Sequence, residues 1–150
     1  MSSSGVEIDP EIPVIYGKMR RKKHKFATFK FQGKKLIVPD MLADPVVTET
    51  RDQDMVEFNK LKDMVTESND PRYILYDFSF ETCKERTVLK TLAFIFWCPD
   101  NSKIGQKMIY QSSKEHIKKS FPGLSVEFQA CNKEEFDYNE FADEVEHRQK

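Results

Sequence analysis

The chain has 150 residues with 24 basic and 25 acidic side chains, and its net charge of −1 excludes a uniform field that would draw it to nucleic acid or a membrane surface. That length buries roughly two-thirds of the unfolded surface, enough for one core without staples, and twelve Phe supply much of the apolar area. No stretch approaches the ~18 consecutive apolar residues of a membrane span, and the opening MSSSGVEIDPEIP has neither a basic start nor an apolar run, which argues against a secretory signal and for a cytoplasmic protein.

Asp9 can cap a short first helix with Pro10 at its first position and Ile12, Ile15, Tyr16 and Met19 turned inward, although Pro13 crowds the carbonyl four residues back and can delay the start until there. Residues 25–31 and 35–38 are rich in β-formers and flank Gln32, Gly33 and Lys34, the pattern of a hairpin. Residues 51–67 place Met55, Phe58, Leu61, Lys62 and Val65 at helical spacing, and Asn69, Asp70 and Pro71 stop that helix. Residues 72–80 and 88–97 read as strands, the second nearly all apolar toward its end and so central, buried on both faces. Residues 99–121 form a long helix that Pro122 and Gly123 terminate, residues 124–129 a last strand, and residues 133–145 a closing helix with Phe136, Phe141 and Val145 among acids.

The charge is polarised along the chain. Residues 18–35 hold nine Lys or Arg and no acid, whereas residues 134–146 hold seven acids and no base, so one segment attracts anions and the other repels them. The basic run Arg20, Arg21, Lys22, Lys23, His24 and Lys25 admits phosphate binding, docking on acidic lipid, a nuclear-localisation signal, or a solvated loop; no aromatic residues interleave with it as single-strand binding requires. Cys83, Cys98 and Cys131 form no CxxC pair, and with three scattered His they read as reduced thiols rather than a metal site. There is no Gly-rich phosphate loop, GxSxG or HExxH, and Asp77 and Glu81, the nearest approach to an acid–base pair, read as strand-end charges in water.

The long helix carries the sharpest signal. At about 100° per residue, Ile109, Tyr110, Ser113 and Ile117 turn inward while Ile104 and Met108 fall on the outer face with Lys107, Gln111, Glu115 and Lys118. Apolar residues so placed are either a partner-binding ridge or the scattered exposed residues that every surface carries.

The segments RYILYDFSFET and LAFIFWCPDNSKIGQKMIYQSSKEHIKKSF resemble the actin-depolymerising factor/cofilin family over residues 72–129, with weaker similarity reaching back through the basic run to Ser4, Gly5 and Val6, and least similarity in residues 131–150. The resemblance implies an α/β (α+β) fold, a single ADF-homology domain with a central mixed five-stranded sheet sandwiched between helices on both faces. It implies a monomeric, non-enzymatic, cofactor-free protein that binds actin monomers and filaments, favours filament turnover, and is cytoplasmic with access to the nucleus. Carried over residue by residue, monomer contacts fall on Ser4, Gly5, Val6, Ile104, Lys107, Met108, Ser112 and Ser113. Filament contacts fall on Lys84, Arg86, Lys90, Glu134 and Glu135, phosphorylation on Ser4, and phosphoinositide headgroups on Lys107, Lys114, Lys118 and Lys119. A nuclear-import role falls on Arg20, Arg21, Lys22, Lys23 and Lys25. Two departures stand out: Gly105 replaces a usual lysine at the helix start, and Asp137, Tyr138 and Asn139 occupy positions where the last helix is often basic. Two rivals remain at this point, a basic lipid- or nucleic-acid-binding module and a relative resembling glia maturation factor that acts on the actin-branching complex.

Overall fold

The computed structural model describes residues 5–148. A two-residue strand β1 (Glu7–Ile8) leads into helix α1 (Glu11–Arg20), where the Asp9 carboxylate accepts a hydrogen bond from the Glu11 N–H at 2.8 Å. Pro13 does not delay this helix. It lies in the first turn, where a backbone N–H has no intrahelical partner to lose. Strands β2 (Phe26–Gln32) and β3 (Leu36–Leu42) form the expected hairpin around Gly33 at φ +74°, but β3 continues past Val38; the register shift between Ala27 and Phe29 admits Pro39 opposite Phe29. Helix α2 (Arg51–Val65) opens with a reciprocal cap, the Thr50 hydroxyl accepting from the Gln53 N–H and the Gln53 side chain from the Thr50 N–H. Strands β4 (Arg72–Glu81) and β5 (Val88–Trp97) follow, then helix α3 (Ile104–Lys118), strand β6 (Glu127–Ala130) and helix α4 (Tyr138–Arg148).

The sheet runs β1-β3-β2-β4-β5-β6, mixed, with parallel pairing at both edges and antiparallel pairing between. It has six strands rather than five because β1 adds to the outer edge of β3. β4 is buried on both faces along almost its whole length, and β5 only over its apolar end, residues 93–97: β6 opposes only Phe94–Trp97, so the first half of β5 has one neighbour and stays partly open. Alternation along β4 divides the interior in two. Tyr73 and Leu75 pack with Ile12, Met19, Tyr110 and Ile117 under α1 and α3, whereas Tyr76 and Phe78 pack with Phe58, Leu61, Phe141 and Val145 under α2 and α4.

The C-terminal elements start later than their composition suggests. Gly123 at φ +85° turns the chain before β6, which begins at Glu127. Residues 132–135 make a separate turn: Asn132 Oδ1 accepts from the Glu135 N–H at 2.9 Å, and Glu135 Oε1 from the Cys131 N–H at 2.8 Å. Asp137 then caps α4, its carboxylate accepting from the Glu140 N–H at 3.0 Å.

A buried polar cluster ties the α2/α4 layer to the sheet. Asp54 and Lys25 are 0% and 2% exposed and form an ion pair at 2.7 Å. Asp54 also accepts from Tyr76 at 2.6 Å, Tyr138 at 2.7 Å and the Ser79 N–H at 3.1 Å, and Lys25 donates to the Asp77 carbonyl at 2.6 Å. Burial first, then the Asp54 charge, pushes the Tyr76 and Tyr138 phenols far above their ordinary range, so both remain donors. Asp77, read from sequence as a solvated strand-end charge, is buried with its carboxyl raised by burial against the opposing pull of Lys22 at 2.8 Å.

Candidate functional site

Four hydrogen bonds fix α3 to its surroundings. The Tyr110 hydroxyl accepts from the Phe31 N–H at 2.9 Å and its carbonyl accepts from the Tyr73 hydroxyl at 2.6 Å, clamping the middle of the helix to β2 and β4. Ser102 donates to the Asn69 carbonyl at 2.7 Å ahead of the first turn, and His116 Nε2–H donates to the Val6 carbonyl at 3.0 Å near the last. Burial raises the Tyr73 and Tyr110 phenols, which keeps the clamp protonated. On the opposite side of this immobilised helix Ile104 is 77% and Met108 65% exposed, with Gln111, Ser112 and Glu115 beside them. An apolar ridge on a clamped helix loses little conformational freedom on docking. Lys107, half-buried at its flank, donates to the Asp100 carbonyl at 3.4 Å.

Two of the expected monomer contacts have buried side chains. Ser113 is 2% exposed, facing the sheet with the inward row, and Val6 is 5% exposed, packed in the α1/α3 core. Gly5 is exposed, and the His116–Val6 bond sets this N-terminal segment beside the C-terminal half of α3. Ser4 lies outside the described residues.

The residues assigned to filament contact separate into two places. Lys84, Arg86 and Lys90 are exposed on or beside the β4–β5 turn, while Glu134 and Glu135 lie on the turn before α4, near the entry to α3. The ten residues of β5 span roughly 30 Å between those ends. The hairpin end is where charge converges: Arg51 pairs with Asp143 at 2.7 Å and Glu146 at 3.0 Å, Lys84 borders the same cavity, and the Cys83 N–H donates to Glu146 at 3.2 Å. Burial works against the Arg51 charge, but the two carboxylates outweigh it and raise its pKa. The acidic face of α4 is therefore partly neutralised by a base from α2, and Arg148 pairs with Glu144 at 3.0 Å. Tyr138 is buried against Asp54, with only 2% of its surface exposed.

The phosphoinositide set is also altered. Lys118 and Lys114 bind the Glu127 carboxylate at 2.6 and 3.1 Å, leaving Lys119 exposed and without an ion pair among the described residues. Burial tends to raise Glu127, and the two lysine hydrogen bonds outweigh it, holding its pKa below the ordinary value. These pairs thus contribute stability above the ordinary Glu pKa and lose it as pH falls through the lowered one. Glu127→Gln is expected to free Lys114 and leave Lys118 only its pair with Glu115 at 3.3 Å, raising binding to vesicles containing phosphatidylinositol bisphosphate several-fold at low salt; equal binding of mutant and wild type in a flotation assay would remove Lys114 and Lys118 from the site.

In the basic run, Lys25 is buried in the Asp54 pair, whereas Arg20, Arg21, Lys22 and Lys23 are exposed, Lys22 in an ion pair with Asp77. Among the described residues no three His, Cys, Asp or Glu side chains are placed to hold a metal ion, and no helix is long and apolar enough to cross a membrane. The Arg51 link to α4 and the Tyr110 clamp were not foreseen; the one signal for the latter was a tyrosine at an inward helical position, whose hydroxyl needs a partner.

The sequence profile of the cofilin/tropomyosin-type actin-binding proteins matches residues 5–146. Actin-depolymerizing factor 3 of Zea mays is 34% identical over 143 residues, covering 93% of this chain and 94% of its own, and a cofilin of Gibberella zeae is 30% identical over 141 residues, covering 93% and 92%. Among solved structures, the ADF-like protein UNC-60A of Caenorhabditis elegans superposes with a TM-score of 0.79 at 25% identity over 99% of this chain and 98% of its own. A profile match over nearly the whole chain, two relatives aligned over more than nine-tenths of their length and a closely superposing solved structure agree: this chain belongs to the cofilin/tropomyosin-type actin-binding protein family.

Proposed function

We propose that the chain binds actin monomers and filaments and promotes filament turnover by depolymerisation and weak severing, acting as a binding protein rather than through covalent catalysis. The observation that carries this reading is the clamped α3 with Ile104 and Met108 outward beside Lys107, an apolar centre with a basic flank. Gly5 and Ser112 extend the monomer contact, and Ser4, two residues before the buried Val6, is the position where a phosphate of roughly −2 charge would oppose it. A cytoplasmic, actin-associated location follows, and the burial of Lys25 shortens the basic run accessible to an import receptor to Arg20, Arg21, Lys22 and Lys23.

Filament contact in this reading uses Lys84, Arg86 and Lys90, with α4 as the weak partner. Glu140 is the exposed acid on α4 without an ion pair among the described residues, so it carries the residual repulsion toward an acidic filament, and the uncharged Asn139 beside it is equally exposed. In co-sedimentation with actin filaments the wild type is expected to pellet, and Asn139→Lys with Glu140→Lys to pellet several-fold more at low salt, the gain shrinking as salt screens it. Asp137 is excluded from the test because it caps the helix. No pelleting of the wild type would refute filament binding, and no gain in the variant would assign the second contact to the hairpin alone.

A further inference from the structure

Between the β2–β3 turn and the first two turns of α3 lies a cavity of about 460 Å³, floored by Phe31, Ile109 and Tyr110, walled by Gly105 and rimmed by Lys34 and Lys103. Its floor is apolar in effect. The Tyr110 hydroxyl is occupied by the Phe31 N–H, and the two rings meet edge to face at 5.0 Å. Its rim is cationic, because Lys34 and Lys103 make no ion pair among the described residues and no acid lines the opening. Gly105 keeps it open: a Cβ there would meet nothing within 4 Å, so the empty space reaches the helix backbone.

The cavity is continuous with the α3 ridge. Gly105 and Ile109 form the row one position round the helix from Ile104 and Met108, so a surface seated on the ridge lies over the opening. We propose that this cavity is a second docking pocket for actin, taking one branched or aromatic side chain flanked by carboxylates on the actin surface. The proposal rests on the reading of α3 as the monomer-binding helix. It adds the β2–β3 turn, through Lys34, to the interface. An apolar floor under an unneutralised basic rim selects an apolar side chain in an acidic setting and rejects a basic one. The volume falls within the ~300–1,000 Å³ of pockets that hold a compact ligand.

The test titrates actin monomers with the full chain carrying Gly105→Leu, Gly105→Ala, Lys34→Glu or Met108→Ala, with melting temperature and sedimentation recorded for each. Gly105→Leu fills the cavity in a helix that accepts the side chain, so binding is expected to weaken tenfold or more with no fall in melting temperature. Gly105→Ala leaves most of the space and is expected to weaken binding far less than Gly105→Leu. Lys34→Glu is expected to weaken binding several-fold at low salt, the difference closing at high salt. Wild-type affinity of Gly105→Leu overturns the pocket, as does wild-type affinity of Lys34→Glu should the leucine variant melt early. Self-association of the wild type that Gly105→Leu abolishes, with actin affinity intact, also overturns it in favour of a second copy of the chain. Loss of binding in Met108→Ala beside an unaffected Gly105→Leu discards the pocket alone; wild-type binding by both discards the α3 reading with it.

Discussion

Alanine at both Lys107 and Met108 is expected to weaken actin-monomer binding by at least about 100-fold while the melting temperature stays within a degree or two of the wild type. Met108 is 65% exposed and the half-buried Lys107 makes a single long side-chain hydrogen bond among the described residues, to the Asp100 carbonyl, so little folding energy rests on either. Truncating a central apolar residue and its charged neighbour in a docking face typically costs ~2 kcal/mol or more for each, and a factor of 100 is about 2.8 kcal/mol. Fluorescence titration against actin monomers together with thermal unfolding gives both numbers. Unchanged affinity would remove α3 as the contact, and a parallel loss of stability would mean that the ridge serves the core.

The largest effect on stability is expected at Asp54. Asp54→Ala removes the acceptor shared by Lys25, Tyr76, Tyr138 and the Ser79 N–H and leaves a buried ammonium without its counter-charge. Breaking one partner of a buried pair costs about 3–5 kcal/mol, a large part of the ~5–15 kcal/mol that holds a domain together. The variant should unfold at a much lower denaturant concentration than wild type. A double replacement, Asp54→Leu with Lys25→Met, should recover much of that loss, because it removes the stranded charge along with its partner. If Asp54→Ala and the double variant unfold at the same midpoint, the penalty comes from lost packing and not from the orphaned lysine.

Neither the depth of Asp54 nor the state of Lys25 was legible in the sequence. Asp54, Phe58, Leu61 and Val65 form the inward row of α2, yet a carboxylate in such a row reads as solvent-facing until Lys25, Tyr76 and Tyr138 arrive from three distant segments. Lys25 read as the end of an exposed basic run for the same reason. The α3 ridge, by contrast, was set by spacing alone, and Ile104 and Met108 stand where about 100° per residue puts them. The same spacing put Ser113 inward, and the structure upholds that over the contact role the family resemblance implied. The α4 boundary was misplaced because Phe136, though buried, belongs to the preceding turn, and a cap such as Asp137 is ambiguous in a segment crowded with acids. The charge of α4 was overstated because the neutralising Arg51 lies far back in the chain.

The sheet also has short margins. Its inner pair, β4 and β5, runs ten residues each, but the outermost strands have two and four, so each border is stepped: β1 covers only Leu36 and Ile37 of β3 and β6 only the last four residues of β5, which breaks the free edge into short stretches. Long unpaired borders recruit other chains into continuous β-structure, and abbreviated ones deny them a template. Each border of this sheet therefore offers a second chain only a short stretch on which to continue the ladder.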